Sequence, residues 1–227
     1  MQKNKLVSCL AAGVALLSAL SVASADMIIS LKDGRSQTIN VDKEDIVSIT
    51  FTDGKSGRNS WPGRQLHDSS STWDFESGQL NGWTATGTAF NRQPTYGDNP
   101  TARHRGQPSN HQGNYWIGTY ENRPTPQDAP GAVQGDGPKG TLTSQPFVVS
   151  KPTIGFLVGG GCDMNAARIE LVVEGVVHRQ STGKCTETMA QAEWNVSGLI
   201  GQEASIRLVD NASGGWGHIN VDAIRFY

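Results

Sequence analysis

The chain has 227 residues, 36% of them hydrophobic and 18% charged, with a formal charge of -2, 27 Gly and 10 Pro. That length suits one domain, or one domain with a small appendage, and the near-neutral balance excludes a basic surface of the kind that binds nucleic acid or anionic membrane. After the first segment no apolar run approaches the ~18 residues of a membrane span.

Lys3 and Lys5 precede a run from Leu6 to Val22 without charge, followed by Ala23-Ser24-Ala25. Residues 1–25 therefore read as a signal peptide cleaved after Ala25, and the mature protein as secreted, periplasmic or extracellular. Export removes Cys9 and leaves Cys162 and Cys185 as a pair in an oxidising compartment, which predicts one disulfide.

Residues 26–51 carry β-formers around Asp33-Gly34 and end just before Asp53-Gly54, predicting a short β-hairpin appendage of two or three strands among Met27–Lys32, Thr38–Val41 and Ile46–Phe51. Residues 52–72, rich in Gly, Ser, Asn and Pro, read as a linker. From Trp73 the pattern is strand-like and shows no apolar period of 3.6. Leu80–Phe90 comes first, and after a long polar segment runs at Thr141–Val149, Thr153–Val158, Arg168–Val173, Val176–Gln180, Ala192–Val196 and Ala204–Val209 are punctuated by turns, with Glu174-Gly175 as a tight hairpin. Such spacing predicts an all-β fold, an antiparallel β-sandwich over residues 73–227. Between Asn91 and Gly140 lies a long polar segment whose Tyr96, Tyr115, Trp116, Ile117 and Tyr120 predict a folded excursion with a strand near Tyr115–Thr119.

The final stretch alternates Ile219, Val221 and Ala223 with His218, Asn220 and Asp222, and then changes phase at Ile224 and Phe226. One half-buried strand with a bulge near Asp222 accounts for both. This ribbon should pair with the first ribbon of the domain, around Phe75. The glycines at 214, 215 and 217 bracket Trp216, which either packs in the core or is displayed.

Five colinear blocks resemble a module attached to bacterial levanases and other fructan-degrading glycoside hydrolases. They are Asp74-Phe75-Glu76-x-Gly78, Gly82-Trp83 through Ala89-Phe90, Gly140-Thr141-Leu142-Thr143-Ser144-x-Pro146-Phe147, Phe156-Leu157-Val158-Gly159-Gly160-Gly161, and Val209-Asp210 with Gly214-Gly215-Trp216-Gly217-His218-Ile219-Asn220-x-Asp222. The resemblance implies a jelly-roll, galactose-binding-like sandwich that binds carbohydrate and performs no chemistry. This chain departs from it in a longer, arginine-rich Asn91–Asp136 segment.

A binding reading assigns flat aromatic faces and fixed polar groups to sugar recognition. Trp116, Trp216, Tyr115 and Tyr120, with Arg103, Arg105, Glu121 and His218, are the candidates. Glu76 and Asp222, from the first and last ribbons, are candidate ligands of a structural Ca2+, a site that the resemblance also implies, or else caps of neighbouring loops. A hydrolase would need paired carboxylates in a cleft, and Asp74, Glu76, Asp210 and Asp222 lie near strand ends, but no nucleophile elbow, metal-binding pair or phosphate loop accompanies them. The function expected is a non-catalytic carbohydrate-binding module. The alternative is an extracellular cell-surface or matrix domain that contacts a protein partner without binding sugar.

Overall fold

The computed structural model of the chain describes residues 26–30, 36–40 and 72–227. The expected signal peptide, the third appendage strand at Ile46–Phe51 and the linker up to Ser71 lie outside the described residues. Two units are distinguished along the chain. In the first, β1 (Asp26–Ser30) and β2 (Ser36–Asn40) pair antiparallel, from Asp26 opposite Asn40 to Ser30 opposite Ser36.

The second unit is the β-sandwich. Its elements in chain order are β3 (Trp83–Gly87), β4 (Thr95–Tyr96), helix α1 (Asn99–Ala102), β5 (Tyr115–Gly118), β6 (Gly140–Ser144), β7 (Phe147–Val148), β8 (Thr153–Gly160), β9 (Ala167–Val173), β10 (Val176–Ser181), β11 (Thr186–Asn195), β12 (Glu203–Asp210) and β13 (Ile219–Phe226). One sheet runs β10-β9-β12-β6-β3, with β7 also pairing β12, and the other runs β11-β8-β13-β5-β4. All pairings are antiparallel. Alternate side chains point inward from each sheet, as a pleat of period two requires. Leu142, Ile169, Leu171, Ile206 and Leu208 meet Ile117, Ile154, Phe156, Ile219 and Val221 in one apolar core. No helix among the described residues is long and apolar enough to cross a membrane.

Three local expectations explain how the sandwich closes. Glu174 and Gly175 have φ of 50° and 82° and join Val173 to Val176 directly, the two-residue turn whose twist matches paired strands. Against β8, β13 pairs Asp222 with Leu157 and next Arg225 with Gly155, so the ladder slips at Ala223, whose φ is 50°. That bulge is the phase change seen in the sequence. Trp73 and Ile224 exchange backbone hydrogen bonds of 3.0 Å each way, which places the first ribbon beside the last.

Two strands differ from the sequence reading. The run at Thr141–Val149 breaks into β6 and β7 at Gln145-Pro146, since proline has no N–H to give a ladder. The run at Ala192–Val196 begins earlier, at Thr186, because a register shift between Thr186 and Ala190 hides the alternation. The segment before β5 also holds α1, a four-residue helix capped by Asp98 through the Thr101 N–H, too short to leave a periodic signal.

Cys162, just after β8, and Cys185, just before β11, form the expected disulfide, with Cα atoms 4.9 Å apart. Replacing both by serine should lower unfolding free energy by about 3 kcal/mol, read as a fall in the urea midpoint. An unchanged midpoint would mean that side-chain contacts alone fix this corner.

Candidate functional site

The site is founded on glycines at the end of β8. A Cβ at Gly160 would stand 2.7 Å from the His218 carbonyl oxygen, one at Gly161 would run into that of Trp216, and one at Gly183 into the Gly159 carbonyl. Gly160 and Gly161 therefore let the Trp216–His218 segment lie directly on the strand, where the Gly161 N–H donates to the His218 carbonyl at 2.8 Å, while Gly159 makes room for Met189. Trp216 itself sits at φ 63°, a conformation that costs a bulky residue energy and is retained where the surroundings hold it.

Five side chains then form an alternating stack of cations and rings. The Arg105 guanidinium lies 5.1 Å from the Trp216 ring centroid, Trp216 lies 5.5 Å from His218, His218 lies 5.0 Å from Tyr120, and the Arg103 guanidinium lies 4.8 Å from Tyr120. Each guanidinium is attracted to the quadrupole of its ring. Beneath the stack, Glu187 ties its members together. One of its oxygens accepts from Arg103 at 2.6 Å and lies 3.8 Å from Arg105. The other lies 3.4 Å from His218 Nε2, an ion-pair distance without hydrogen-bond alignment, and accepts from Asn220 at 3.2 Å.

Further buried partners lock the stack. Glu121 accepts from Arg103 at 3.0 Å and from Asn99 at 2.6 Å. Asn99 in turn accepts from the Gly131 N–H at 2.6 Å and donates to the Ala132 carbonyl at 2.8 Å, which fastens the long excursion to itself. Asp136 binds His218 Nδ1 at 2.7 Å.

Electrostatics follow from this burial. Desolvation opposes a charge on His218, but Asp136 and Glu187 outweigh it and push the imidazole up to about 9, so it is an imidazolium at neutral pH. Desolvation also opposes the Glu187 carboxylate, yet His218 and Arg103 bring it down to about 2. Burial raises Glu121 in spite of Arg103 and Asn99. Two carboxylates pushed apart in this way resemble an acid/base pair, but Glu121 and Glu187 are 0% and 2% exposed and both act on Arg103 from below.

Of the residues expected to bind sugar, Arg103, Arg105, Tyr120, Glu121, Trp216 and His218 come together here. Arg105, Trp216, Tyr120 and part of Arg103 reach solvent, while Glu121 and His218 support them from inside. Trp116 does not belong. It is fully buried, its ring packs flat against Gly118 on the side of β5 away from the core, its Nε1 donates to the Gly97 carbonyl at 2.9 Å, and His111 stacks on it at 5.9 Å. The segment before β5 has folded over it. Tyr115 is also elsewhere, half-buried against the core cluster and 5.2 Å from Tyr96.

Glu76 and Asp222 converge on the same loop. Glu76 accepts from the Asn114 and Tyr115 N–H groups, both at 2.8 Å for the nearer oxygen, and Asp222 accepts from the Gln112 and Ala223 N–H groups at 2.7 and 2.6 Å. Burial pushes Asp222 up to about 7 against those two hydrogen bonds, with Glu76 and Asp74 adding to the rise.

Glu187, Asp136, Asn99 and Asn220 escaped the sequence reading. Glu187 had one available signal, its place two residues after a paired cysteine and within a polar Thr-Glu-Thr interruption of a strand.

No family model matches the chain. A protein of Aspergillus rugulosus named "Putative glycosyl hydrolase ecdE" is 39% identical over 156 residues, covering 67% of this chain and 20% of that protein. The chain thus spans about a fifth of that relative's length. Among solved structures, TmCBM61 in complex with β-1,4-galactotriose is 17% identical, with 68% of this chain and 93% of that one covered at a TM-score of 0.40. The K1 cleaved adhesin domain of Lys-gingipain from Porphyromonas gingivalis W83 is 11% identical, with 68% and 95% covered, also at 0.40. A family 35 carbohydrate-binding module from an environmental isolate is 17% identical, with 42% and 71% covered, at 0.29. At these scores neither sugar nor partner transfers to this chain.

Proposed function

We propose that the sandwich is a non-catalytic module that binds a poly- or oligosaccharide, fructan-like or other, at the surface formed by Arg105, Trp216 and Tyr120. The observation that carries this reading is the cation–ring stack: aromatic rings reach solvent beside guanidinium groups that are held from beneath, the combination that suits the C–H faces and hydroxyls of a sugar. Its charges balance, with Arg103, Arg105 and His218 facing Glu121, Glu187 and Asp136, which favours a neutral glycan. The resemblance to levanase-attached modules and the partial coverage of a much longer relative named as a glycosyl hydrolase agree with an accessory, non-cleaving part. Export through residues 1–25 is part of the proposal, and the disulfide supports an oxidising destination. A glycan array probed with the mature protein tests the reading: retention of fructans, galactans or glucans is expected, and an empty array with capture of a protein ligand would replace it with the protein-binding alternative.

A structural Ca2+ held by Glu76 and Asp222 belongs to the same proposal. Both side chains offer hard oxygens, and the charges of Glu76 and Asp74 add to the rise of Asp222, which a divalent cation would relieve; among the described residues no three acidic, His or Cys side chains gather to hold a metal by themselves, so backbone carbonyls would complete the shell. When bound, the ion would serve to fix the Gln112–Tyr115 loop to the two ribbons. Excess Ca2+ should raise the melting temperature and EGTA reverse it, with no response in Asp222→Asn. Identical melting under all three conditions would discard the metal.

A further inference from the structure

At the opposite end of β13 a second set of groups meets on the outer face of the five-stranded sheet. Tyr227 is 50% exposed, yet it is fixed at both ends. Its backbone exchanges hydrogen bonds with Thr153 at 3.1 and 2.9 Å, and its phenol donates to Glu193 at 2.9 Å. The ring lies flush on the sheet because residue 155 is glycine: a Cβ there would stand 2.8 Å from the Tyr227 oxygen and 2.9 Å from a ring carbon. Beside it Arg225, exposed, donates to the Gln112 side-chain oxygen. A shallow depression of about 180 Å3 opens between them, floored by Gly155, Leu157 and Ala223 and walled by Gln191.

We propose that this depression is a second carbohydrate site, which takes one neutral sugar ring. The Tyr227 face would stack on the ring's C–H surface, while the Arg225 fork and the Gln191 and Gln112 amides, which hold donors and acceptors in fixed planes, read adjacent hydroxyls. The ligand is neutral because Glu193 stands beside Tyr227 to offset Arg225. An order-giving detail supports a recognition role: nothing in packing requires an aromatic ring to be clamped flat on a solvent-facing sheet, whereas a rigid aromatic loses little entropy on binding. The site is separate from the Trp216 surface. Trp216 precedes β13 and Tyr227 follows it, so the eight residues of that strand hold the two about 25 Å apart at ~3.3 Å per residue. It shares with the proposed function only the class of ligand.

The test is an amide chemical-shift titration of the full chain with neutral fructo-, galacto- and gluco-oligosaccharides, on wild type, Trp216→Ala, Tyr227→Ala and Arg225→Ala. Shifts at Gly155, Leu157 and Ala223 are expected in wild type and unaltered in Trp216→Ala. Tyr227→Ala should weaken them by about two- to tenfold, and Arg225→Ala, an exposed change that leaves the ring in place, should weaken them too. Shifts confined to residues around Trp216 would overturn the second site and leave the first standing. Shifts confined to Gly155, Leu157 and Ala223 would do the reverse, and a spectrum indifferent to every sugar would overturn both.

Discussion

Glu187→Ala is expected to lower the unfolding free energy by about 3–5 kcal/mol, the loss that follows when one partner of a buried ion pair is removed. Glu187 is 2% exposed and faces Arg103 at 2.6 Å and His218 at 3.4 Å, so its deletion leaves the buried His218 and the part-buried Arg103 with a reduced counter-charge. Urea unfolding of the variant against wild type measures the loss. A fall below about 1 kcal/mol, the ordinary value of an exposed pair, would show that water already reaches the cluster.

The same network fixes how stability varies with pH. His218 is raised in the folded state, so its contribution is complete below its usual range near 6.5 and disappears as pH climbs through about 9. Glu187 is depressed, so its contribution is complete above its usual 4.5 and disappears as pH falls through about 2. Asp210 and Asp222, pushed up to about 7 by burial, bind protons more tightly folded than unfolded, and so cost stability as pH rises from their usual 3.8 through that value. The melting temperature should therefore peak at about pH 4, where the losses from Asp210 and Asp222 overtake the gain from Glu187, and fall on both sides. In Glu187→Ala the part of the alkaline decline that His218 carries should be smaller and end at lower pH, because His218 keeps only Asp136.

Much of the scaffold was written plainly in the residues. Two-residue alternation marked the ribbons from β8 to β13, Glu174-Gly175 marked its hairpin, and the change of phase between Asp222 and Ile224 located the bulge. The disulfide followed from counting. Site geometry was less legible, because it depends on contacts between segments far apart in the chain. Arg103, Tyr120 and His218 could be named as polar or aromatic loop residues, but their common partner Glu187 lies in a distorted part of β11 with no periodic signature. Trp116 misled for a related reason: its polar, glycine-rich neighbours suggest exposure, while Gly118 serves as the flat seat for its indole. A glycine beside a tryptophan marks close packing as readily as display.

Trp216→Ala is the second large effect expected. Trp216 supplies a part-exposed aromatic surface in the stack and holds Arg105 over it, and loss of both should weaken glycan binding by at least about tenfold, as for a central aromatic anchor worth ~1.4 kcal/mol or more. The Trp216 loop is exposed at Asn211, Ser213, Gly214 and Gly215, so the fold should survive the change, with an unaltered melting curve as the check. Arg105→Ala should give a smaller loss, since the side chain is 42% exposed and its ion pair is long.

The most direct measurement is a calorimetric titration of wild type and Trp216→Ala with an oligosaccharide retained on the array, using the buried Trp116→Phe as control. The stack predicts heat of binding in wild type and in Trp116→Phe, and a Kd raised at least about tenfold in Trp216→Ala. Equal affinity in wild type and Trp216→Ala would contradict it and take sugar recognition away from this surface.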